Sequence, residues 1–99
     1  MQVISTPYVL NERKKQAGKV FETSKAQVLN IQLKSGESIP DHFADCDVLI
    51  IVRSGIVSFT VNDETVELTS ESLLHMEPKE VHSLTAKEDA DVVVVKIKK

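Results

Sequence analysis

The chain has 99 residues and a mass of 11.0 kDa, room for a single domain with one core. Hydrophobic residues make up 41% and charged residues 27%, a globular balance that excludes disorder as the default state. With 12 basic against 15 acidic residues the net charge is −3, and no basic patch for a nucleic-acid backbone stands out beyond Arg13, Lys14 and Lys15.

Strand formers dominate. Valine, isoleucine and threonine supply 27 residues and alanine only five, and β-branched side chains lose rotamer freedom in a helix but pack well on a pleated surface. Residues 11–19 offer the best helical window, yet they are polar on every side and are read as a loop with at most one helical turn. Leu29, Ile31 and Leu33 alternate with Asn30, Gln32 and Lys34, the period of a half-buried strand. After the turn Ser35-Gly36 an extended segment over 39–43 is expected. Residues 48–53 are nearly all apolar, as in a strand covered on both faces. Ser54-Gly55 is a turn, and Val57, Phe59 and Val61 then alternate with Ser58, Thr60 and Asn62. Asn62-Asp63 tolerates the positive φ of a tight hairpin that leads into 65–68. Strands over 72–76, 81–85 and 91–97 complete the set. Eight or so short strands joined by tight turns predict an all-β barrel or sandwich.

A single cysteine cannot form an internal disulfide, and the apolar runs 48–52 and 92–95 are too short to span a bilayer. The first ten residues lack the charged start and the cleavage site of a signal peptide. The expectation is a soluble cytoplasmic domain with no nucleic-acid or membrane partner.

From Gly36 onward the spacing becomes specific. The stretch from Gly36 through His42, Ala44 and Val48 to Gly55 resembles the first motif of the cupin family, G-x5-H-x-H-x3-E-x6-G, with both glycines, the first histidine and every spacing in place. Residues 68–84, in which Pro78 lies four positions before His82, look like the second motif. The resemblance covers residues 28–97. It implies a cupin barrel (a double-stranded β-helix, or jelly roll) over 28–99, preceded by an N-terminal segment over 1–27 made of a loop and an edge strand. The chain departs from the family at four positions. Ala44 stands where the second motif histidine belongs and Val48 where the glutamate belongs, while Glu71 and Lys79 occupy glycine positions.

In cupins the motif histidines point into the barrel and hold a divalent metal, so the resemblance implies His42 and His82 as ligands. Tight catalytic sites use three protein ligands, and Ala44 and Val48 supply no donor atom. A third donor has to come from Asp41, Asp45, Asp47 or Cys46. Cys46 comes first among these, because its thiolate is a strong ligand for zinc or copper. Zinc, iron, nickel and manganese are the divalent candidates, and the metal-bound reading is not the favoured one. In the plainer reading the carboxylates are solvated turn residues, Cys46 is a small apolar residue, and both histidines line the barrel on water or backbone carbonyls. By parity His75 faces away from Leu74 and Met76 and lies outside the site. Lys96, Lys98 and Lys99 read as a basic tail that keeps the end of an edge strand soluble.

The expected pocket is lined by His42, Ala44, Val48, Ile50, Phe59, Met76, His82 and Leu84, with Val52, Val57 and Val61 on the same parities. It points first to a small-molecule binding or sensing module. The alternatives are a metal-dependent enzyme of the oxygenase or isomerase type and a dimerisation domain with a vestigial pocket. Cupins pair through an outer sheet face, and residues 92–95 are apolar on both parities, so a homodimer is expected.

Overall fold

A computed structural model describes all 99 residues as nine strands with no helix. In chain order they are β1 (Lys15–Glu22), β2 (Ala26–Leu33), β3 (Ser38–His42), β4 (Asp47–Ser54), β5 (Val57–Val61), β6 (Glu64–Leu68), β7 (Leu73–Met76), β8 (His82–Ala86) and β9 (Ala90–Ile97). They form two antiparallel sheets, one in the order β1-β2-β9-β4-β7 and the other in the order β3-β8-β5-β6. No helix is long and apolar enough to cross a membrane.

The core lies between the sheets and follows strand parity. Ile31 and Leu33, Val48, Ile50 and Val52, Met76, and Val92 and Val94 enter it from the five-stranded sheet. Val57 and Phe59, Leu68, and Leu84 and Ala86 enter from the four-stranded sheet. Side chains from two inner faces thus interdigitate, the usual economy of a double-sheet barrel.

Backbone chemistry closes the turns. Asn62 and Asp63 adopt φ of 48° and 68° between the paired residues Val61 and Glu64, the geometry of a two-residue hairpin that follows the strand twist. Gly55 has φ of 83°, and a Cβ there would sit 2.2 Å from the carbonyl oxygen of Asp89, so only glycine fits. Lys79 holds φ of 71° at the position where the family motif has glycine, and its N–H donates to the carbonyl of Ala44.

Four expectations are corrected. Residues 15–19 belong to β1 rather than to a loop, although a turn at Val9–Arg13 precedes it. As an edge strand β1 is held by its backbone ladder to β2, from Lys15 opposite Leu33 to Glu22 opposite Gln27, and needs no apolar face. The boundary between 27 and 28 falls inside β2. In β4 only one face is fully covered, since Leu49 and Ile51 remain half-buried on the outer side. The strand β9 lies in the middle of its sheet, so Lys96 does not sit on an edge. Lys98 is engaged too, donating to Glu22 and to the carbonyl of Thr23. The hydrogen bond from Lys19 and then that from Lys98 push the Glu22 carboxyl down to about 2.

The polar parity of β2 behaves unlike that of a solvated strand. Asn30 and Gln32 are buried, because residues 6–10 cross the outer face of the sheet above them. The Gln32 amide acts as a piece of backbone for this strap, accepting from the N–H of Val9 at 3.0 Å and donating to the carbonyl of Pro7 at 2.9 Å. It also donates to Asn30, which donates in turn to Asp91 at 2.7 Å. The Arg53 guanidinium grips both oxygens of Asp91 and reaches Thr6 of the strap. Every buried side-chain nitrogen and oxygen has a partner, as a buried polar network requires.

Candidate functional site

The site forms where the four-stranded sheet meets the open end of the barrel. β3 ends on His42 and β8 begins on His82, and the register makes them direct cross-strand partners. The ladder slips between Ile39 and His42. Pro40 lies within this slip and has no N–H to donate, so the edge strand bulges there and re-aims the next residues. The imidazole centroids of His42 and His82 stand 4.0 Å apart at an interplanar angle of 64°, edge to face. On its other side His82 stacks over Phe59, centroid to centroid 6.3 Å. His82 is 5% exposed, whereas His42 faces the mouth.

Both rings are fixed by the same device. His42 Nδ1 lies 3.0 Å from the carbonyl of Pro40 and His82 Nδ1 lies 3.0 Å from the carbonyl of Glu80. A carbonyl only accepts, so each Nδ1 carries a proton and Nε2 is the ring atom left to meet a ligand. No hydrogen bond within the protein uses either Nε2. Burial pushes the His82 pKa below its ordinary value, and the neighbouring His42 and Lys96 disfavour a second positive charge there and lower it further. The hydrogen bond to the Glu80 carbonyl and the Glu80 charge oppose this only in part. His82 is therefore a neutral acceptor at pH 7.

Beneath the histidines lies a cavity of about 50 Å³ lined by eleven residues, eight of them hydrophobic and the others His42, His82 and Lys96. Seven residues singled out from the sequence meet there: His42, Ala44, Val48, Ile50, Phe59, His82 and Leu84. Met76 does not; it is buried in the core beside its partner Val48 and lies off the cavity wall. Val52 and Val57 are likewise core residues away from the wall.

Sequence reasoning missed Leu29, Ile31, Val94 and Lys96, all of which line the cavity. Lys96 is the most consequential. Val92, Val94 and Lys96 share one parity of β9, and the first two are buried in the core, so that parity carries Lys96 inward beside Val48. The signal was available in the alternation and was hidden by the two lysines that follow it.

The donor set does not fit a chelated metal. No three histidine, cysteine or carboxylate side chains come together anywhere in the chain. Cys46 packs half-buried against the core instead of joining the histidines. Asp47 starts β4 and bonds the exposed His75 at 2.8 Å, which places both outside the cavity and corrects the reading of Asp47 as a turn residue.

Comparison with known proteins agrees with this architecture. Among solved structures the chain is similar to a cupin superfamily protein from Desulfitobacterium hafniense, with TM-score 0.81 and 17% identity over 89% of this chain and 81% of that one. It is similar to an RmlC-like cupin protein from Desulfovibrio desulfuricans, with TM-score 0.78 and 19% identity over 94% and 96%. It also resembles part of an oxalate decarboxylase variant from Bacillus subtilis, with TM-score 0.79 and 19% identity over 88% of this chain but 26% of that one. These likenesses show a single cupin β-barrel. No protein of curated function matches in sequence. The family description AraC-like ligand binding domain matches residues 27–97, which take in the histidine pair and every strand except β1 and the first residue of β2, and the chain belongs to that family of cupin-type domains.

Proposed function

We propose that the protein is a cytoplasmic small-molecule binding or sensing module whose ligand sits in the cavity under His42 and His82. One observation carries this reading: an apolar cavity is capped by two imidazoles whose Nδ1 atoms are anchored while both Nε2 atoms are left without a protein partner. Oriented acceptors above an apolar wall fix a ligand's pose. The family's ligand-binding description supports the reading. Binding ranks above metal-dependent catalysis because the third donor is lacking.

The test is a fragment screen read by thermal shift and by the imidazole proton signals of His42 and His82, repeated on Ala44→Phe. A ligand of the folded state raises the melting temperature. Hits should move the histidine signals and lose their effect in Ala44→Phe, where the new ring fills the cavity mouth. Hits that stabilise both proteins equally would sink the proposal.

The same reading includes a homodimer. Phe21, Val28, Val95 and Leu49 stand in one register row across four strands on the outer face of the larger sheet. All four are half-buried, an apolar row that a second copy would cover.

A further inference from the structure

The cavity's polar groups are few and different in kind, which narrows its ligand chemistry. The Lys96 ammonium enters into no ion pair and no hydrogen bond, although those of Lys19, Lys87 and Lys98 are all paired. A half-buried lysine on the cavity lining, with no counter-charge beside it, is a site that an anion would complete. Nε2 of His82, opposite its anchored Nδ1, makes the other demand, since the lone pair of the neutral ring needs a hydrogen-bond donor and repels a bare carboxylate. One ligand answers both demands if it carries a carboxylate for Lys96 and a hydroxyl for that imidazole. The volume sets its size. About 50 Å³ corresponds to roughly four water-sized units, enough for about four to six heavy atoms. The hydrophobic wall of Leu29, Ile31, Ile50, Leu84 and Val94 leaves the rest of such a ligand apolar.

From this juxtaposition we infer that the pocket binds a short hydroxycarboxylate, its carboxylate on Lys96, its hydroxyl donating to a histidine Nε2 and its alkyl end against the aliphatic wall. The inference rests on the binding-module reading above and adds the ligand's chemical class to it.

Three probes of nearly equal size separate the demands: lactate, propionate, which lacks the hydroxyl, and lactamide, which lacks the charge. Calorimetric titration with the intact protein should give lactate at least a tenfold advantage over each of the other two. Lys96→Met should reduce lactate binding to the level of lactamide and leave lactamide unchanged, while Lys96→Arg should keep the preference for the anion. Thermal melts of both variants establish that they are folded. Equal affinity for lactate and lactamide, or unchanged lactate binding in Lys96→Met, would overturn the inference. If none of the three binds while screen hits still move the histidine signals, this inference fails and the binding module stands. If neither the probes nor the screen touches His42 and His82, both fail.

Discussion

His82 is held neutral at pH 7 by its surroundings. Its folded-state pKa lies below the ordinary histidine value of 6.5, chiefly through burial. Above 6.5 the ring is neutral in both folded and unfolded chains and makes no contribution to pH dependence. As the pH falls through 6.5 the unfolded chain takes up a proton first, so stability declines until the pH passes the lower folded value. Denaturant unfolding between pH 8 and pH 5 should show this decline, and His82→Gln should flatten that part of the curve. An unchanged slope in the variant would place the titrating group elsewhere. Backbone strain gives a second residue-scale prediction. Lys79→Gly relieves a left-handed conformation and should stabilise the chain by about 1 kcal/mol, a gain of a few degrees in melting temperature. Gly36→Ala and Gly55→Ala both force alanine to positive φ, but only the second drives a Cβ into backbone, at Asp89 and Ala90. The first should cost about 1–2 kcal/mol and the second clearly more, about 3 kcal/mol or above. Equal losses would mean that the Gly55 turn yields.

At the scale of elements, β2 has two jobs on its two parities. Leu29 and Ile31 face the cavity, while Asn30 and Gln32 hold the N-terminal strap on the other side. Gln32→Ala removes an amide that serves Val9, Pro7 and Asn30 together and leaves Asn30 without a donor for its oxygen. A loss of about 2–3 kcal/mol is expected in urea unfolding. Lys34, on the same parity but exposed beyond the strap, should tolerate alanine within about 0.5 kcal/mol. A Gln32 variant no weaker than the Lys34 variant would mean that the strap is not held by this amide. The alternation of β2 was legible in the sequence, yet it marks only which side a residue faces. That the polar side is covered depends on residues more than twenty positions away.

For the molecule as a whole, the outer row of Phe21, Val28, Val95 and Leu49 makes assembly testable. Light scattering should give twice the chain mass for the unmodified protein and the single mass for Val95→Lys, with the melting curve showing that the variant remains folded. A monomer at micromolar concentration in the unmodified protein would sink the homodimer. The barrel itself confines the cavity to one end, because the middle is filled by Val57, Phe59, Leu33 and Val92, each essentially inaccessible. What is left open is the space that Ala44 and Val48 create by being smaller or more apolar than the residues the motif holds there.

The sequence by itself determined an all-β chain and, from β2 onward, most of its strands and their parities, because a period of two and residues suited to turns are local properties that survive without neighbours. It also brought seven cavity residues into view, since motif spacing and parity place them on inward faces. Tertiary structure alone decided the rest. The edge strand expected within 1–27 acquired its bounds, Lys15–Glu22, only there, because β1 has no apolar stripe and a backbone ladder rather than side-chain burial holds it in place. The alternation of β9 marks the face Lys96 shares with Val92 and Val94, but that this position borders the cavity beside His42 and His82 is seen only in the closed barrel. Cys46 was separated from the histidines by the path of a loop, which no spacing encodes. Local chemistry is written along the chain; which distant groups share a volume is settled when the two sheets close on each other.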